Sequence, residues 1–280
     1  MINGFDKLLA NSLTLEEPWY IESAEFNADA GEIHIYVGVR KEASFVCPMC
    51  GAATKRYGYE PEERSWRHAD YLFYPCYVHC RRPRVICECG VEQINAPFER
   101  KNSRFTLMFE GYAMLIMADI PRAKASRLLR CNEKSLASIL SYWVNDAVQK
   151  QDLSDVNAIA IDETSFKRGH SYVTVAIDAI NRRVFDVEPG RDKLSVAAVA
   201  KMLNEHGGNS LEVKSATSDM SKAYLHAIKE NFPNAEQVID KFHVKQMFMK
   251  ALDMVRKEEQ QATDEKKSLF QARNFIFFVG

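Results

Sequence analysis

Ala158-Ile159-Ala160-Ile161-Asp162 is the stretch that decides the fold. A short apolar run, preceded by a polar linker over 149–155 and closed by a carboxylate, reads as a buried strand. Working outward, Ser171 to Asp178 and Arg183 to Glu188 are predicted as two further strands, with turns at Lys167-Arg168-Gly169 and Asn181-Arg182. Pro189-Gly190 punctuates the chain before a helix from Ser195 to Glu205. Val213 to Ser218 is the next strand and runs straight into Asp219, followed by a helix from Ser221 to Asn231. Gln237 to Ile239 is a last short strand ahead of a helix that begins near Phe242.

The order strand, strand, strand, helix, strand, helix, strand, helix is that of an α/β domain of ribonuclease-H-like type. In that fold the first and fourth strands are adjacent and parallel. Asp162 and Asp219, at the carboxyl ends of those strands, then stand one strand spacing apart, roughly 4.8 Å. Two carboxylates at that separation can share magnesium or manganese ions (Mg2+ or Mn2+), and paired metals serve in-line phosphoryl displacement. Glu163 points to the opposite face by strand alternation and is assigned a surface or structural role. Asp240 also ends a strand; it ranks second as a ligand and first as a cap for the next helix.

The 280 residues are 46% apolar and 27% charged, the balance of an ordinary globular protein of roughly two domains. The longest apolar runs, such as residues 113–118, fall far short of the ~20 residues that cross a bilayer, so no membrane partner is expected. The first residues, with Asp6, do not read as a secretory signal. The expected location is cytoplasmic. There, seven cysteines read as metal ligands or core thiols rather than disulfides.

The net charge of −1 hides segregation. Residues 1–46 carry three Lys/Arg against eight Asp/Glu, whereas 47–106 carry ten against seven and 107–150 six against four. A local basic surface matters more for nucleic acid than the global balance.

In Cys47-Pro48-Met49-Cys50-Gly51, two thiols sit on a turn where Gly51 can take positive φ, a knuckle able to grip zinc (Zn2+) from one side. Cys87-Glu88-Cys89-Gly90 would complete a four-cysteine site, although its spacing is shorter than Cys-x-x-Cys. His79 and Cys80 are near enough in sequence to substitute, and buried thiols in a small β domain are the bland alternative. Tyr71 to Tyr77 and Arg82 to Ile86 are predicted as short strands of this module.

Helical spacing begins at Thr106, where Leu107, Met108, Tyr112, Leu115 and Ile116 mark a packed face as far as Asp119. Pro121 opens a second helix, Arg122 to Arg130, expected to bury Ala125, Leu128 and Leu129. After a break at Cys131-Asn132, a third runs from Glu133 to Val148 with Leu136, Ile139, Leu140, Trp143 and Val144 inward. A short helix, a tight turn and a longer helix have the spacing of a helix-turn-helix, with an ordinary bundle as the alternative. Lys134, Ser135 and Ser138 at the start of the third helix, with Arg130 before it, are the candidate DNA contacts.

Taken together, the zinc knuckle, the helix-turn-helix and Ala160-Ile161-Asp162-Glu163-Thr164-Ser165-Phe166-Lys167-Arg168-Gly169 resemble bacterial insertion-sequence transposases of the ISL-three type. Ser218-Asp219-Met220-Ser221-Lys222-Ala223-Tyr224 and Val238-Ile239-Asp240-Lys241-Phe242-His243-Val244 extend the likeness over essentially the whole chain. The resemblance implies a DDE recombinase that cuts element ends and joins 3′-hydroxyls to target DNA with two metal ions. It implies Asp162 and Asp219 as the first two catalytic carboxylates and Cys47, Cys50, Cys87 and Cys89 as zinc ligands. Its implied partners are double-stranded DNA, as terminal repeats and target, and further copies of itself on DNA, in a nucleoid-associated location. The expected divisions are an amino-terminal segment (1–46), a zinc module (47–105), a helix-turn-helix (106–150) and an incomplete ribonuclease-H-like domain (151–280). Family members continue beyond Gly280 and carry their third carboxylate, a glutamate, there; Glu258, Glu259 and Glu265 lie outside any matching motif. The expectation is therefore a copy truncated at the carboxyl end and inactive in strand transfer, with a DNA-binding remnant or repressor as the alternative reading.

Overall fold

A computed structural model describes residues 4–167 and 171–262. The chain divides into two compact units, Met1–Val144 and Asn145–Gly280.

The first unit opens with α1 (Gly4–Ser12), β1 (Trp19–Asn27), β2 (Glu32–Val39), β3 (Ser44–Val46) and β4 (Ala53–Tyr59). It continues with β5 (Arg64–Tyr71), β6 (Tyr74–Cys80), β7 (Pro83–Cys87) and β8 (Gly90–Gln93). These strands make two four-stranded sheets, ordered β1-β2-β6-β5 and β3-β4-β7-β8. In the first sheet β2 and β6 run parallel, so residues on either side of the cut at 46/47 share one sheet. Its inner face, with Ile35, Val37, Trp66, Cys76, Val78 and Cys80, packs against Leu9 of α1, Leu13 just after it and Phe98. The second sheet gives Phe45 and Val85 to a small core that Val39 of β2 and Ala43 complete.

The strand expected from Tyr71 to Tyr77 is instead a hairpin. Tyr71 pairs with Tyr74, and Leu72 and Phe73 form the turn between β5 and β6. The strand expected from Arg82 is β7, displaced by one residue because Pro83 opens it.

Three helices follow, α2 (Leu107–Asp119), α3 (Arg122–Leu128) and α4 (Glu133–Lys150). Thr106 caps α2, its hydroxyl accepting the Phe109 N–H. The shared core is Phe109, Ala113, Ala125, Leu129, Leu136 and Ile139. The expected inward face of α2 is rotated: Met108, Tyr112 and Leu115 are exposed, whereas Phe109, Glu110 and Ala113 are buried. Leu128 and Val144 are likewise exposed rather than inward. Counting apolar residues misplaced the face because one of its fully buried members, Glu110, is charged.

The second unit holds β9 (Ala158–Lys167), β10 (Ser171–Asp178), β11 (Arg183–Pro189), α5 (Lys193–Glu205) and β12 (Ser215–Ser218). It ends with α6 (Lys222–Asn231), β13 (Glu236–Ile239) and α7 (Lys241–Ala262). The order matches the expectation, with β12 starting two residues late. Arg168 and Gly169 of the first expected turn lie outside the described residues, and Arg182 at the second takes a positive φ of 54°. The five strands are ordered β11-β10-β9-β12-β13. β9, β12 and β13 are parallel, and β10 and β11 are antiparallel. Ile159, Ile161, Ala176 and Phe185 meet Val196, Val199 and Leu203 of α5 and Tyr224, Ala227 and Ile228 of α6. Asp192 caps α5 by accepting the N–H groups of Leu194 and Ser195. Among the described residues, no helix is long and apolar enough to cross a membrane.

Candidate functional site

The four cysteines converge. The two hairpins β3–β4 and β7–β8 each present one pair, and the sheet order brings β4 beside β7. In the first pair the backbone closes a knuckle, Gly51 N–H donating to the Cys47 carbonyl, with Gly51 at φ 73°. Gly90, at φ 111°, closes the second hairpin opposite Cys87. The sulfurs of Cys47, Cys50, Cys87 and Cys89 all lie within 4.8 Å of one another. Tetrahedral zinc with Zn–S near 2.3 Å requires sulfur separations of about 3.8 Å. Cys50–Cys87 at 3.7 Å, Cys47–Cys89 at 3.5 Å and Cys47–Cys87 at 3.4 Å sit close to that value. Cys87–Cys89 is tighter, 2.7 Å, because the Cys-x-Cys spacing seats both thiols on one short turn.

Electrostatics favour a ligand role for Cys47. The Cys50 N–H points at its sulfur and, against the effect of burial, lowers its pKa to about 6. A thiol held near its ionised form is ready to bind metal. The other cysteines behave differently. Burial pushes the Cys76 and Cys80 thiols up to about 12, and both belong to the core of the first sheet. Cys80 and His79 therefore do not substitute in the cluster: His79 lies on the opposite face of β6, bonded to the His34 ring at 2.9 Å. Cys131 packs with the helical core.

The segment around α3 and α4 places the proposed DNA contacts. Asn132 opens α4, its side chain accepting the Lys134 N–H at 2.7 Å. Lys134 and Ser138 are exposed and Ser135 is half-buried. Arg130 has a positive φ of 50°, and its guanidinium donates to Asp70 and to the Phe73 carbonyl. Sequence reading missed Glu110, fully buried on α2, which accepts from Arg100 (2.9 Å), Ser103 (2.6 Å) and the Trp143 indole (2.7 Å). This network ties α4 and the loop before α2 to one carboxylate. A Glu inside an apolar helical run, with Arg100 and Ser103 nearby, was its only signal.

In the second unit the register answers for the aspartates. β9 and β12 pair through Ser215–Ala158, Ala216–Ile159 and Thr217–Ala160. Two residues further along, Asp219 falls opposite Asp162. Ile159 and Ile161 are buried and Asp162 is exposed, so Asp162 lies on the face of the sheet away from α5 and α6. Asp162 Oδ1 accepts the Glu163 N–H at 2.8 Å, and Asp219 Oδ1 accepts the Ser221 N–H at 3.0 Å. Glu163 lies on the other face, paired with Arg191 at 3.5 Å. Its cross-strand neighbour Thr174 shares a 2.8 Å hydrogen bond with Tyr224. The Tyr224 hydroxyl is pushed above its ordinary pKa by burial, and the charges of Glu163, Asp219 and Asp162 add to that shift.

Asp240 follows the Ser218–Ile239 pair and so falls beside Asp219 on the next strand. Both its oxygens are used at the start of α7, one by the Phe242 N–H and one by the His243 ring. That is the capping role expected of it. Glu258 and Glu259 are exposed near the end of α7, and Glu265 lies outside the described residues. Among the described residues the four cysteines form the one group of three or more possible ligands that meets within 4.8 Å; no carboxylate trio does so.

Comparison with known proteins agrees with both halves. Residues 159–278 match the ISL3-type DDE family described as transposase. Residues 43–89 match the zinc-finger of transposase IS204/IS1001/IS1096/IS1165, a span that includes all four cysteines. The chain is 24% identical over 257 residues to the transposase for insertion sequence element IS1557 of Mycobacterium tuberculosis, covering 90% of this chain and 57% of that protein. It is 26% identical over 262 residues to the transposase for insertion sequence element IS1001 of Bordetella parapertussis, covering 91% of this chain and 63% of that protein. The two segments, in the same order along one chain and carrying the features just described, make the chain similar to ISL3-type insertion-sequence transposases, and it spans about three fifths of the length of the curated relatives it matches.

Proposed function

We propose that this chain engages DNA as the end-binding and partial catalytic portion of an insertion-sequence transposase. In this reading α2 to α4 form a helix-turn-helix (106–150) that holds duplex DNA at element ends, and zinc fixes the preceding β module. The unit with β9 to β13 is then a ribonuclease-H-like domain (151–280) that handles the scissile strand. The observation that carries the reading is the register of two adjacent parallel strands, which sets Asp162, midway along β9, level with Asp219 just past the end of β12. Magnesium or manganese bound there would stabilise charge on the attacking and leaving oxygens of the transferring phosphate.

Each aspartate has Oδ1 held by a backbone N–H, which orients the carboxylate and leaves Oδ2 as the metal-facing oxygen. The third carboxylate that the family resemblance implies would complete the ligand set. Lys134 and Ser138, exposed at the start of α4, make the first contacts with DNA, supported by Ser135 and Arg130. Further copies of the chain assemble on the DNA, in the bacterial cytoplasm and with the nucleoid. A second reading, DNA binding without catalysis, draws on one observation: no three carboxylates converge among the described residues.

The test has two arms. Binding of a short fluorescent duplex should weaken steeply with salt, and Lys134→Ala should lower the logarithmic salt slope by about one. Mn2+ binding, followed by electron paramagnetic resonance, should be weak and should disappear in Asp162→Asn and Asp219→Asn. Absence of duplex binding at low salt overturns the helix-turn-helix assignment. Mn2+ binding that survives both substitutions overturns the carboxylate assignment.

A further inference from the structure

The turn between β5 and β6 carries residues that its backbone disfavours. Tyr71 pairs with Tyr74, leaving Leu72 and Phe73 as a two-residue turn in which both have positive φ, 49° and 74°. Such hairpins favour Asn-Gly, because an ordinary side chain in this region crowds its own backbone. Here the positions hold two large apolar residues that bury almost nothing: Phe73 is 89% exposed and Leu72 is 72% exposed. Neither backbone preference nor core packing explains them.

The tip is also held firmly. Arg130 donates to the Phe73 carbonyl at 2.6 Å and to Asp70, and Arg67 donates to the same aspartate. Below the turn, Tyr74 packs edge-on against Phe26 with ring centroids 4.8 Å apart. Arg130 lies between α3 and α4, so the hairpin tip is fastened to the turn of the helix pair read above as DNA-binding. The same pair carries the exposed cations Lys124, Arg127 and Lys134. Cations for phosphates beside a projecting Phe and Leu are the combination by which proteins pry apart a base step while gripping the backbone.

We propose that Phe73, backed by Leu72, is a wedge that inserts between base pairs of duplex DNA held by α3 and α4. The proposal rests on the DNA-binding reading of those helices and adds to it a site for unstacked bases. Its function would be local distortion of the bound duplex, with the strained turn keeping the ring pointed outward before DNA arrives.

The test uses the full 280-residue chain and short duplexes of mixed sequence carrying 2-aminopurine, one set fully paired and one with a small mismatched bubble. Unstacking should raise 2-aminopurine emission on binding. The bubble, whose bases are already unstacked, should bind at least tenfold more tightly than the paired duplex, since it is spared the cost of opening a step. Phe73→Ala should lose both the emission rise and the bubble preference while keeping the salt slope. The double change Leu72→Asn with Phe73→Gly should lose them too, yet raise the melting temperature, because it installs the residues the turn favours. That opposition of stability and activity separates a wedge from a folding element. Retention of both signals in Phe73→Ala overturns the wedge alone. A wild-type dimer in sedimentation that Phe73→Ala turns into monomer overturns it in favour of contact with a second copy. Failure of the wild-type chain to bind any duplex at low salt overturns the DNA-binding reading, and the wedge falls with it.

Discussion

The sheet β3-β4-β7-β8 and the sheet β11-β10-β9-β12-β13 reach order by different means. The first contributes only Phe45 and Val85 to a four-residue core completed by Val39 of β2 and by Ala43, and places four thiols at one end. The second buries sixteen, from Leu153 to Phe232, with helices α5 and α6 laid on one face. At about 25 cal/mol per Å² of apolar surface, a core of four side chains does not offset the entropy of ordering some forty residues, whereas sixteen with two helices can. The difference teaches where a metal is structural: it stands in for the core that the first sheet lacks.

Removing the metal is the sharpest way to break this comparison. Zinc binding in small cysteine sites is worth roughly 10–16 kcal/mol of folding free energy. Protein prepared without chelators should contain about one zinc per chain. Chelation or Cys47→Ser should unfold β3, β4, β7 and β8, seen as loss of amide protection in hydrogen exchange, while amides of β9 and β12 keep theirs. Cys131→Ser, in the helical core, should leave zinc content unchanged. A chain that holds no zinc and keeps β4 and β7 protected in chelator would show that the ribbon stands on packing alone.

Next in size are truncations within the cores. Phe185→Ala, deep in the second unit, should cost about 3–5 kcal/mol there and nothing in the first. Glu110→Ala should cost a similar amount, about 3–5 kcal/mol, in the first unit, because it strands the Arg100 guanidinium and the Trp143 indole. Denaturant unfolding read by tryptophan emission isolates the first unit, since Trp19, Trp66 and Trp143 all belong to it. An equal fall in both units for either variant would mean that they unfold as one.

These contrasts also explain what could be read in advance. The second unit was legible because β9, β10 and β11 carry local apolar stretches bounded by turn formers, whereas the short polar strand β12 was read mainly from its place between two helices. The convergence of the four cysteines was legible from spacing and glycine closure. The sheet β1-β2-β6-β5 was not, since its parallel pair β2–β6 joins segments some forty residues apart and no local pattern announces that crossing. The face of α2 was misjudged because Glu110 is buried by partners contributed from Arg100, Ser103 and Trp143, while Met108, Tyr112 and Leu115 stay exposed. The Leu72-Phe73 turn was read as strand, because its residues carry none of the usual turn chemistry.

The smallest expected effect, and the one that separates the units by sign, is pH dependence between about 4 and 6.5. In the first unit His68 is buried against the Thr106 hydroxyl, and burial, with Arg67 nearby, lowers its pKa to about 4. The unfolded chain takes up a proton on this histidine near pH 6.5 that the folded unit refuses until about 4, so stability falls as pH drops through that window. The full shift corresponds to about 3 kcal/mol. In the second unit Asp186 moves the other way: burial, with the Glu188 charge, raises it to about 6, and its Oδ2 is buried without a hydrogen bond. The folded unit then keeps a proton that the unfolded chain has released above about 4, so stability rises as pH drops from 6 to 4. Only part of that shift should appear, because the side chain is half-exposed. Separate melting curves, from tryptophan emission for the first unit and hydrogen exchange of β9 and β12 for the second, should therefore diverge on mild acidification. His68→Gln should flatten the first slope by comparison with the wild-type chain, acid release of zinc being common to both. Asp186→Asn should flatten the second and raise stability at neutral pH. Two midpoints that fall in parallel, unchanged by either substitution, would mean that carboxylates shared across the surface, not these two buried groups, govern the acid response.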